Sequence, residues 1–175
     1  MISYVTGLKI RRLSARLDSF VEGRKLDDNA TIMVDYEGGA TGLYWSSQIA
    51  VGYDNALRFR VFGEKGAVEF AQERPDQLRV TMLDSPSQYL SRGRDALLGS
   101  AADLPRIPSG HPEGLFVAFA NIYRNFTTAL RKRMAGQTLT EADLDFPSVE
   151  DGIQGVRFIT RVVESSKKDS AWVDF

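Results

Sequence analysis

The stretch that determines the fold is DDNATIMVDYEGGATGLYWSS, residues 27–47. From Ala30 to Tyr36 every second residue is apolar or aromatic, which is the period of a strand that buries one face. The flexible residues of Glu37-Gly38-Gly39 then suit a tight hairpin turn into a second strand over residues 40–47. The stretch therefore predicts two adjacent antiparallel strands.

Similar patterns extend this pair in both directions along the chain. Strands are predicted over residues 10–20, 57–62, 67–70 and 78–83, and the tail, residues 171–175, could add a short one. Gly63-Glu64-Lys65-Gly66 is interpreted as a hairpin turn, because it lacks the spacing of a phosphate-binding loop. Short connections favour a mostly antiparallel sheet, since parallel neighbours need long crossovers.

The second half of the chain is predicted to be helical after a long loop. Residues 84–114 are rich in proline and glycine, which indicates the loop. Residues 115–134 are predicted to form a helix that ends near Gly136. A second helix is predicted to begin after Ser148, which caps it together with Asp151. Both helices carry a periodic apolar stripe, which we interpret as a face packed on the sheet. The stripes are Phe116, Phe119, Tyr123, Phe126, Leu130 and Met134 in the first helix, and Val149, Ile153, Val156, Ile159 and Val163 in the second.

The order of these elements predicts an α+β fold in one domain, residues 1–175. Its centre is an open, mostly antiparallel β-sheet with helices packed on one face. Two helices cannot cover both faces of a broad sheet, so the other face meets water or a partner. We expect this face to form a homo-oligomer, a dimer or tetramer; a solvated sheet is the alternative.

Composition excludes several classes of function. With 43% apolar residues the chain can bury a core, and its 22 basic and 23 acidic residues are interleaved, so we expect no nucleic-acid or membrane partner. The absence of cysteine excludes thiolate chemistry and cysteine-bound metals and fits a reducing compartment. The start of the chain does not resemble a signal peptide, and a cytoplasmic protein is expected.

Few residues can carry chemistry. The single histidine, His111, lies in the turn Gly110-His111-Pro112-Glu113-Gly114, where it could contact a ligand, cap the following helix or face solvent. Glu150 and Asp151 fall in the first turn of a predicted helix, where capping explains them. We find no nucleophile elbow and no Gly-x-Gly-x-x-Gly fingerprint, so the sequence predicts no catalytic, metal-binding or cofactor-binding residue in this chain.

Six motifs occur in an order that resembles the carboxy-terminal domain of the Gfo/Idh/MocA oxidoreductases. They are DDNA (27–30), EGGA (37–40), GEKGA (63–67), GHPEG (110–114), AFANIY (118–123) and PSVEDG (147–152). The resemblance implies an open antiparallel sheet whose free face makes the oligomer interface. It also implies an amino-terminal Rossmann domain that binds NAD or NADP and is absent from this chain, as are the family's catalytic Lys, Asp and His. Met1 to Gly7 resembles the end of the helix that follows that His.

The resemblance predicts a substrate-binding and oligomerisation domain of an NAD(P)-dependent sugar, polyol or cyclitol dehydrogenase. Such a domain would be inactive in isolation and bind no cofactor alone; the full-length enzyme would use NAD or NADP. Polar groups beside an aromatic ring suit a polyol, although the same residues could merely finish a hairpin. The candidate substrate contacts are His111, Trp45, Ser47, Gln48, Tyr53 and Asn55.

Two other functions stay open at this point. The chain could be a stand-alone binding or assembly module that has lost catalysis. It could also belong to a relative that uses NAD for non-redox chemistry on the same scaffold. Whether the chain is itself an enzyme is left open.

Overall fold

The structure is a computed structural model that describes residues 1–94 and 100–175. It contains two compact units, one formed by residues 1–53 with 148–175 and the other by residues 54–147. Each unit has its own four-stranded antiparallel sheet. The α+β class with antiparallel sheets is confirmed, with the strands distributed over two sheets; the prediction of a single domain stays a prediction.

The strands and helices lie close to the predicted ranges. The strands are β1 (Ile10–Asp18), β2 (Asn29–Tyr36), β3 (Thr41–Ser47), β4 (Arg58–Gly63), β5 (Gly66–Ala71), β6 (Gln77–Met82), β7 (Gln88–Ser91) and β8 (Val173–Asp174). The helices are α1 (Ile2–Thr6), α2 (Ser100–Asp103), α3 (Leu115–Met134) and α4 (Val149–Lys167). Within the predicted loop, residues 84–114, the structure places β7 and α2, while residues 95–99 lie outside the described part.

The first unit is built on the alternating stretch of residues 27–47. Its sheet has the order β3-β2-β1-β8, and the register places Ile32 between Ala15 and Tyr44. The inward side chains form a buried core with Val162 of α4 and Val173 of β8. The predicted hairpin between β2 and β3 is confirmed, with a short 3₁₀ turn over Glu37–Gly39.

Helix α4 begins as predicted at Ser148. The Ser148 Oγ accepts from the Asp151 N–H at 3.2 Å, and the Ser148 N–H donates to the Asp151 carboxylate at 2.7 Å, which forms a reciprocal capping box. Its packing on the sheet uses Phe158, whose ring lies 5.7 Å from that of Tyr44, and Val162.

The prediction that the apolar stripes of both long helices form a packed face is wrong for most of their residues. In α4 the predicted core residues Val149, Ile153, Val156 and Ile159 are 58–72% exposed, and in α3 Phe116 is 89% exposed. The buried residues of α3 are instead Asn121 and Ala129. Periodicity identifies the apolar side of a helix, but it does not reveal what covers that side.

The second unit carries the sheet β4-β5-β6-β7. Gly63-Glu64-Lys65-Gly66 forms the hairpin turn between β4 and β5, as predicted, with Gly63 paired to Gly66. One face is apolar, and the other carries a row in which Glu69 stands between Arg60 and Arg79. The Arg79 Nη1 lies 2.9 Å from the Glu69 carboxylate.

No helix within residues 1–94 and 100–175 is both long and apolar enough to cross a membrane.

Candidate functional site

The predicted substrate contacts are divided between the two units. Trp45, Gln48 and Tyr53 belong to the first unit, whereas Asn55 and His111 belong to the second. Their assembly into one site therefore stays a prediction, and each group has its own surroundings.

In the first unit, the end of β3 presents an indole held at its polar edge. The Trp45 Nε1 donates to the Asn29 Oδ1 at 2.9 Å, while the residue remains 59% exposed. Ser47 Oγ accepts from the Ile49 N–H at 3.3 Å and so organises the turn that follows. Tyr53 is 57% exposed. An exposed, oriented aromatic ring can stack against the apolar face of a sugar or cyclitol.

The same end of the sheet is anchored by Asp28, a residue to which the sequence assigned no role. Its buried carboxylate accepts from the N–H groups of Phe20 and Val21 at 3.0 Å, and its carbonyl accepts from the Gln48 N–H at 2.8 Å. The Phe20 and Val21 N–H groups, helped by Arg24, hold the pKa of Asp28 below its usual value. Asp28 thus ties the loop between β1 and β2 to the residue that follows β3. The position of Asp28 at the end of that loop could have indicated this role in the sequence, because Asp side chains readily accept hydrogen bonds from nearby backbone N–H groups.

In the second unit, Asn55 precedes β4 and already has a protein partner. Its Nδ2 donates to Gln72 Oε1 at 2.8 Å, and the following Ala56 has a positive φ of 48°. The Ala56 N–H donates to the Glu73 carboxylate at 2.5 Å. These bonds fit the alternative interpretation, in which Asn55 helps to shape the connection into β4.

His111 lies at the end of a turn that begins at Pro108, which we name the His111 turn (residues 108–111). The His111 N–H donates to the Pro108 carbonyl at 3.3 Å, and the imidazole Nδ1 lies 3.3 Å from the same oxygen. A carbonyl can only accept, so this contact favours the tautomer that carries its proton on Nδ1 and leaves Nε2 as an acceptor. The side chain is exposed. It can accept a hydrogen bond from a ligand hydroxyl.

A partly buried ionic cluster bonds to the His111 turn and to the residue before it. We name it the Arg92 clamp; it consists of Arg92, Asp76 and Glu113. The Arg92 Nε lies 2.6 Å from the Asp76 carboxylate and its Nη1 lies 3.0 Å from that of Glu113. The guanidinium also donates to the carbonyls of Ile107, at 3.1 Å, and His111. One side chain therefore joins β7 to both sides of the turn.

The carboxylates of the Arg92 clamp have hydrogen-bond partners in addition to the guanidinium or are held ionised by it. Glu113 accepts from the N–H groups of Arg106 and Ile107 at 2.7 and 2.9 Å, and only 5% of its side chain is exposed. The hydrogen bond from Arg92 holds the pKa of Asp76 below its usual value. Because folding lowers this pKa, the stabilisation from Asp76 is present above the ordinary Asp pKa and is lost as the pH falls through the folded-state value.

A second contact fixes the segment that leads into the turn. Asn121, buried in α3, donates through Nδ2 to the Leu104 carbonyl at 3.0 Å and accepts from the Arg106 Nε at 3.1 Å. Asn121 and Glu113 belong to two of the sequence motifs, which give them no structural role, and no sequence pattern identifies Arg92 or Asp76. The signal that could have identified Asn121 and Glu113 is an amide and a carboxylate that follow a glycine-flanked turn.

The described residues contain neither a group of metal ligands nor a parallel strand pair. In residues 1–94 and 100–175 no three His, Asp or Glu side chains come together in a group that could hold a metal ion. Every strand pair in these ranges is antiparallel, so they provide no parallel crossover for a dinucleotide. NAD(H) therefore does not fit the described residues on their own.

A family model gives independent information about the first 69 residues of the chain. Residues 1–69 match the model described as "GFO/IDH/MocA C-terminal domain". Two curated proteins are similar over a longer range. "Uncharacterized oxidoreductase YfiI" of Bacillus subtilis is 34% identical over 96% of this chain and 43% of its own length. "Levoglucosan dehydrogenase" of Pseudarthrobacter phenanthrenivorans is 30% identical over 85% of this chain and 36% of its own length.

Solved structures extend the likeness to the fold of nearly the whole chain. An inositol dehydrogenase homolog from Azotobacter vinelandii, complexed with NADH and myo-inositol, superposes with a TM-score of 0.91 at 37% identity. The match covers 99% of this chain and 47% of that one. The chain thus spans less than half the length of the relatives that it matches.

Proposed function

Because this chain belongs to the carboxy-terminal domains of the Gfo/Idh/MocA family, we propose that it forms the substrate-binding and oligomerising portion of a dehydrogenase that acts on a sugar, polyol or cyclitol. The observation that carries the proposal is the likeness, over 99% of this chain, to a protein whose structure holds NADH and myo-inositol. Two curated relatives bear the names of an oxidoreductase and of levoglucosan dehydrogenase.

In this proposal, catalysis and cofactor binding belong to a nucleotide-binding domain outside the present sequence. NAD or NADP would accept or donate hydride there. This chain's residues would bind and orient the polyol: His111 would accept a hydrogen bond from a hydroxyl, and the Trp45 ring would stack on the carbon face. Gln48, Tyr53 and Asn55 remain candidate contacts.

The gene of this protein provides the first test. We would sequence the DNA on the 5′ side of the codon for Met1. An in-frame segment that encodes a glycine-rich strand-turn-helix and the family's catalytic Lys, Asp and His supports the dehydrogenase proposal. A start at Met1 without such a segment would overturn it and leave the non-catalytic binding module.

We expect His111→Ala to raise the KM for myo-inositol about tenfold in the dehydrogenase that carries this chain, because one hydrogen bond to the substrate is lost. The kcat should change less than twofold, since His111 binds the substrate and transfers no proton. Steady-state kinetics at saturating nicotinamide cofactor measures both constants. His111→Asn, which keeps a hydrogen-bonding group, should recover part of the loss, and an unchanged KM in both variants would contradict the contact.

The oligomeric role is proposed for the outward face of the first unit's sheet. Met33 and Leu43 are cross-strand partners on this face, and they are 48% and 69% exposed. Trp45 follows Leu43 on the same side of β3 and therefore belongs to both the substrate and the oligomer predictions. Exposed apolar residues grouped on one face are typical of protein interfaces.

We expect the chain to be a dimer or tetramer at micromolar concentration, and Leu43→Glu to convert it into a monomer. A charge placed in an apolar interface loses its hydration without gaining a partner. Light scattering coupled to size exclusion measures the mass. Glu64→Gln, in the hairpin turn of the second unit, is the control and should leave the mass unchanged. A wild-type chain that is monomeric across the micromolar range would contradict the proposal.

A further inference from the structure

The Arg92 clamp offers more than a stabilising ion pair, because its guanidinium is bonded to the backbone on both sides of the His111 turn. We propose that the Arg92 clamp is a positioning device that sets the affinity of His111 for a polyol hydroxyl. The inference rests on the proposed function, since it assigns Arg92 a role in substrate binding without contact with the substrate.

The direction of the guanidinium is fixed by the two carboxylates. Asp76 holds the Nε edge and Glu113 holds Nη1, while only 17% of the Arg92 side chain is exposed. With these edges held, Nη1 and Nη2 can meet the Ile107 and His111 carbonyls in one orientation only. The planar guanidinium, with its five N–H donors, can reach the two carboxylates and the two carbonyls together. A lysine ammonium has three donors and cannot bond to all four acceptors.

The His111 turn has little internal support of its own. Its hydrogen bond from the His111 N–H to Pro108 is long, at 3.3 Å, and Gly110 has a φ of 85°. The turn is held close to the end of β7: a Cβ added to Gly93, whose φ is 69°, would meet the Ser109 nitrogen at 3.3 Å. The conformation of the turn therefore depends on the groups at the end of β7, and among residues 88–94 Arg92 bonds to it through its side chain.

The clamp acts on the backbone carbonyl of His111 and not on its imidazole. Loss of the clamp should consequently matter for substrate binding only while the imidazole is present. An Arg92 that merely stabilised the second unit would lower stability in every background and would leave KM unchanged in the folded protein. These two behaviours can be separated by a double-mutant cycle.

The experiment compares Arg92→Lys, His111→Ala and the double variant in the dehydrogenase that carries this chain, with myo-inositol as the probe. We expect Arg92→Lys to raise KM about tenfold with kcat changed less than twofold, and the double variant to have the KM of His111→Ala alone. Arg79→Lys is the matched control. Arg79 also pairs with a glutamate in the second unit, at 2.9 Å, but lies on the sheet, and its variant should keep the wild-type KM.

A second readout follows the turn directly in this chain by NMR. Arg92→Lys should shift the His111 amide and ring signals and speed the exchange of the His111 N–H by at least tenfold, while the amide signals of β4 and β5 stay unchanged. Arg79→Lys should leave the His111 signals unchanged.

Each outcome of the cycle supports or overturns the inference. If His111→Ala raises KM and Arg92→Lys does not, the positioning role is wrong and the proposed function stands. If Arg92→Lys raises KM equally with and without the imidazole, Arg92 acts by another route and the inference is overturned. If His111→Ala has no effect on KM, the proposed contact fails, and the positioning role fails with it.

Discussion

Replacing Glu113 with alanine should lower the free energy of unfolding of the second unit by about 2–4 kcal/mol. The variant leaves the Arg106 and Ile107 N–H groups without their acceptor, and it removes one of the two carboxylates that balance the partly buried Arg92. Urea unfolding followed by far-ultraviolet circular dichroism measures the change. Both tryptophans, Trp45 and Trp172, lie in the first unit, so their fluorescence reports the unfolding of that unit separately.

The control for this prediction is Glu69→Ala in the same unit. Glu69 also pairs with an arginine, but its side chain is 33% exposed and that of Arg79 is 40% exposed, so the loss should be below about 1 kcal/mol. Equal losses in the two variants would contradict our view that burial and the backbone acceptor role of Glu113 make the difference.

Ser165→Ala should destabilise the first unit by a similar amount, about 2–4 kcal/mol. The Ser165 hydroxyl is fully buried; it accepts from the Ala15 N–H at 2.8 Å and donates to the Ala171 carbonyl at 2.6 Å. Alanine removes the hydrogen-bond partner of both backbone groups. The buried N–H of Ala15 lies on the edge of β1 beyond its short pairing with β8, which involves Arg12 and Leu13. Thermal or urea unfolding followed by tryptophan fluorescence reports the effect.

Ser166→Ala provides the comparison, because the neighbouring hydroxyl makes one weaker contact. Its Oγ accepts from the Leu17 N–H at 3.1 Å in a half-buried position, where water can replace it. We expect a loss of about 1 kcal/mol or less. A loss as large as that of Ser165→Ala would indicate that the edge of β1, and not the burial of the hydroxyl, determines the cost.

Local elements could be predicted well because their signals lie within a few residues. The 115–134 helix was predicted with the bounds that the structure has, and the Ser148 cap was read from the spacing to Asp151. The hairpins at Glu37–Gly39 and Gly63–Gly66 follow from glycine beside alternating residues. In each case the interaction that decides the structure joins residues close in sequence.

The candidate site could be predicted only in part. A glycine-flanked His111 was enough to predict an exposed turn before α3. The residues that hold this turn could not be found, because Asp76 lies 37 positions before Glu113 and 16 before Arg92. No periodicity or motif links a residue before β6 to one after β7; their contact exists only once β6 and β7 have paired.

The same distinction explains the apolar stripes of α3 and α4. Their spacing correctly indicated helices, yet most of the side chains predicted as core are exposed, while Asn121 and Ser165 are buried. The choice of buried face depends on which groups a helix meets, and a buried amide or hydroxyl is stable where its hydrogen bonds are satisfied.

Residues 27–47 contain enough local information to specify two antiparallel strands and their turn, and the motifs along the chain are sufficient to recognise the family. Those features depend on backbone preferences and on side-chain alternation, which act between neighbours in sequence. Three features arise only in the folded chain: the Arg92 clamp, the hydrogen bonds of Ser165 and Ser166 to the edge of β1, and the division of the strands into two sheets. They depend on hydrogen bonds and charges between distant residues, whose strength comes from the burial that folding itself creates.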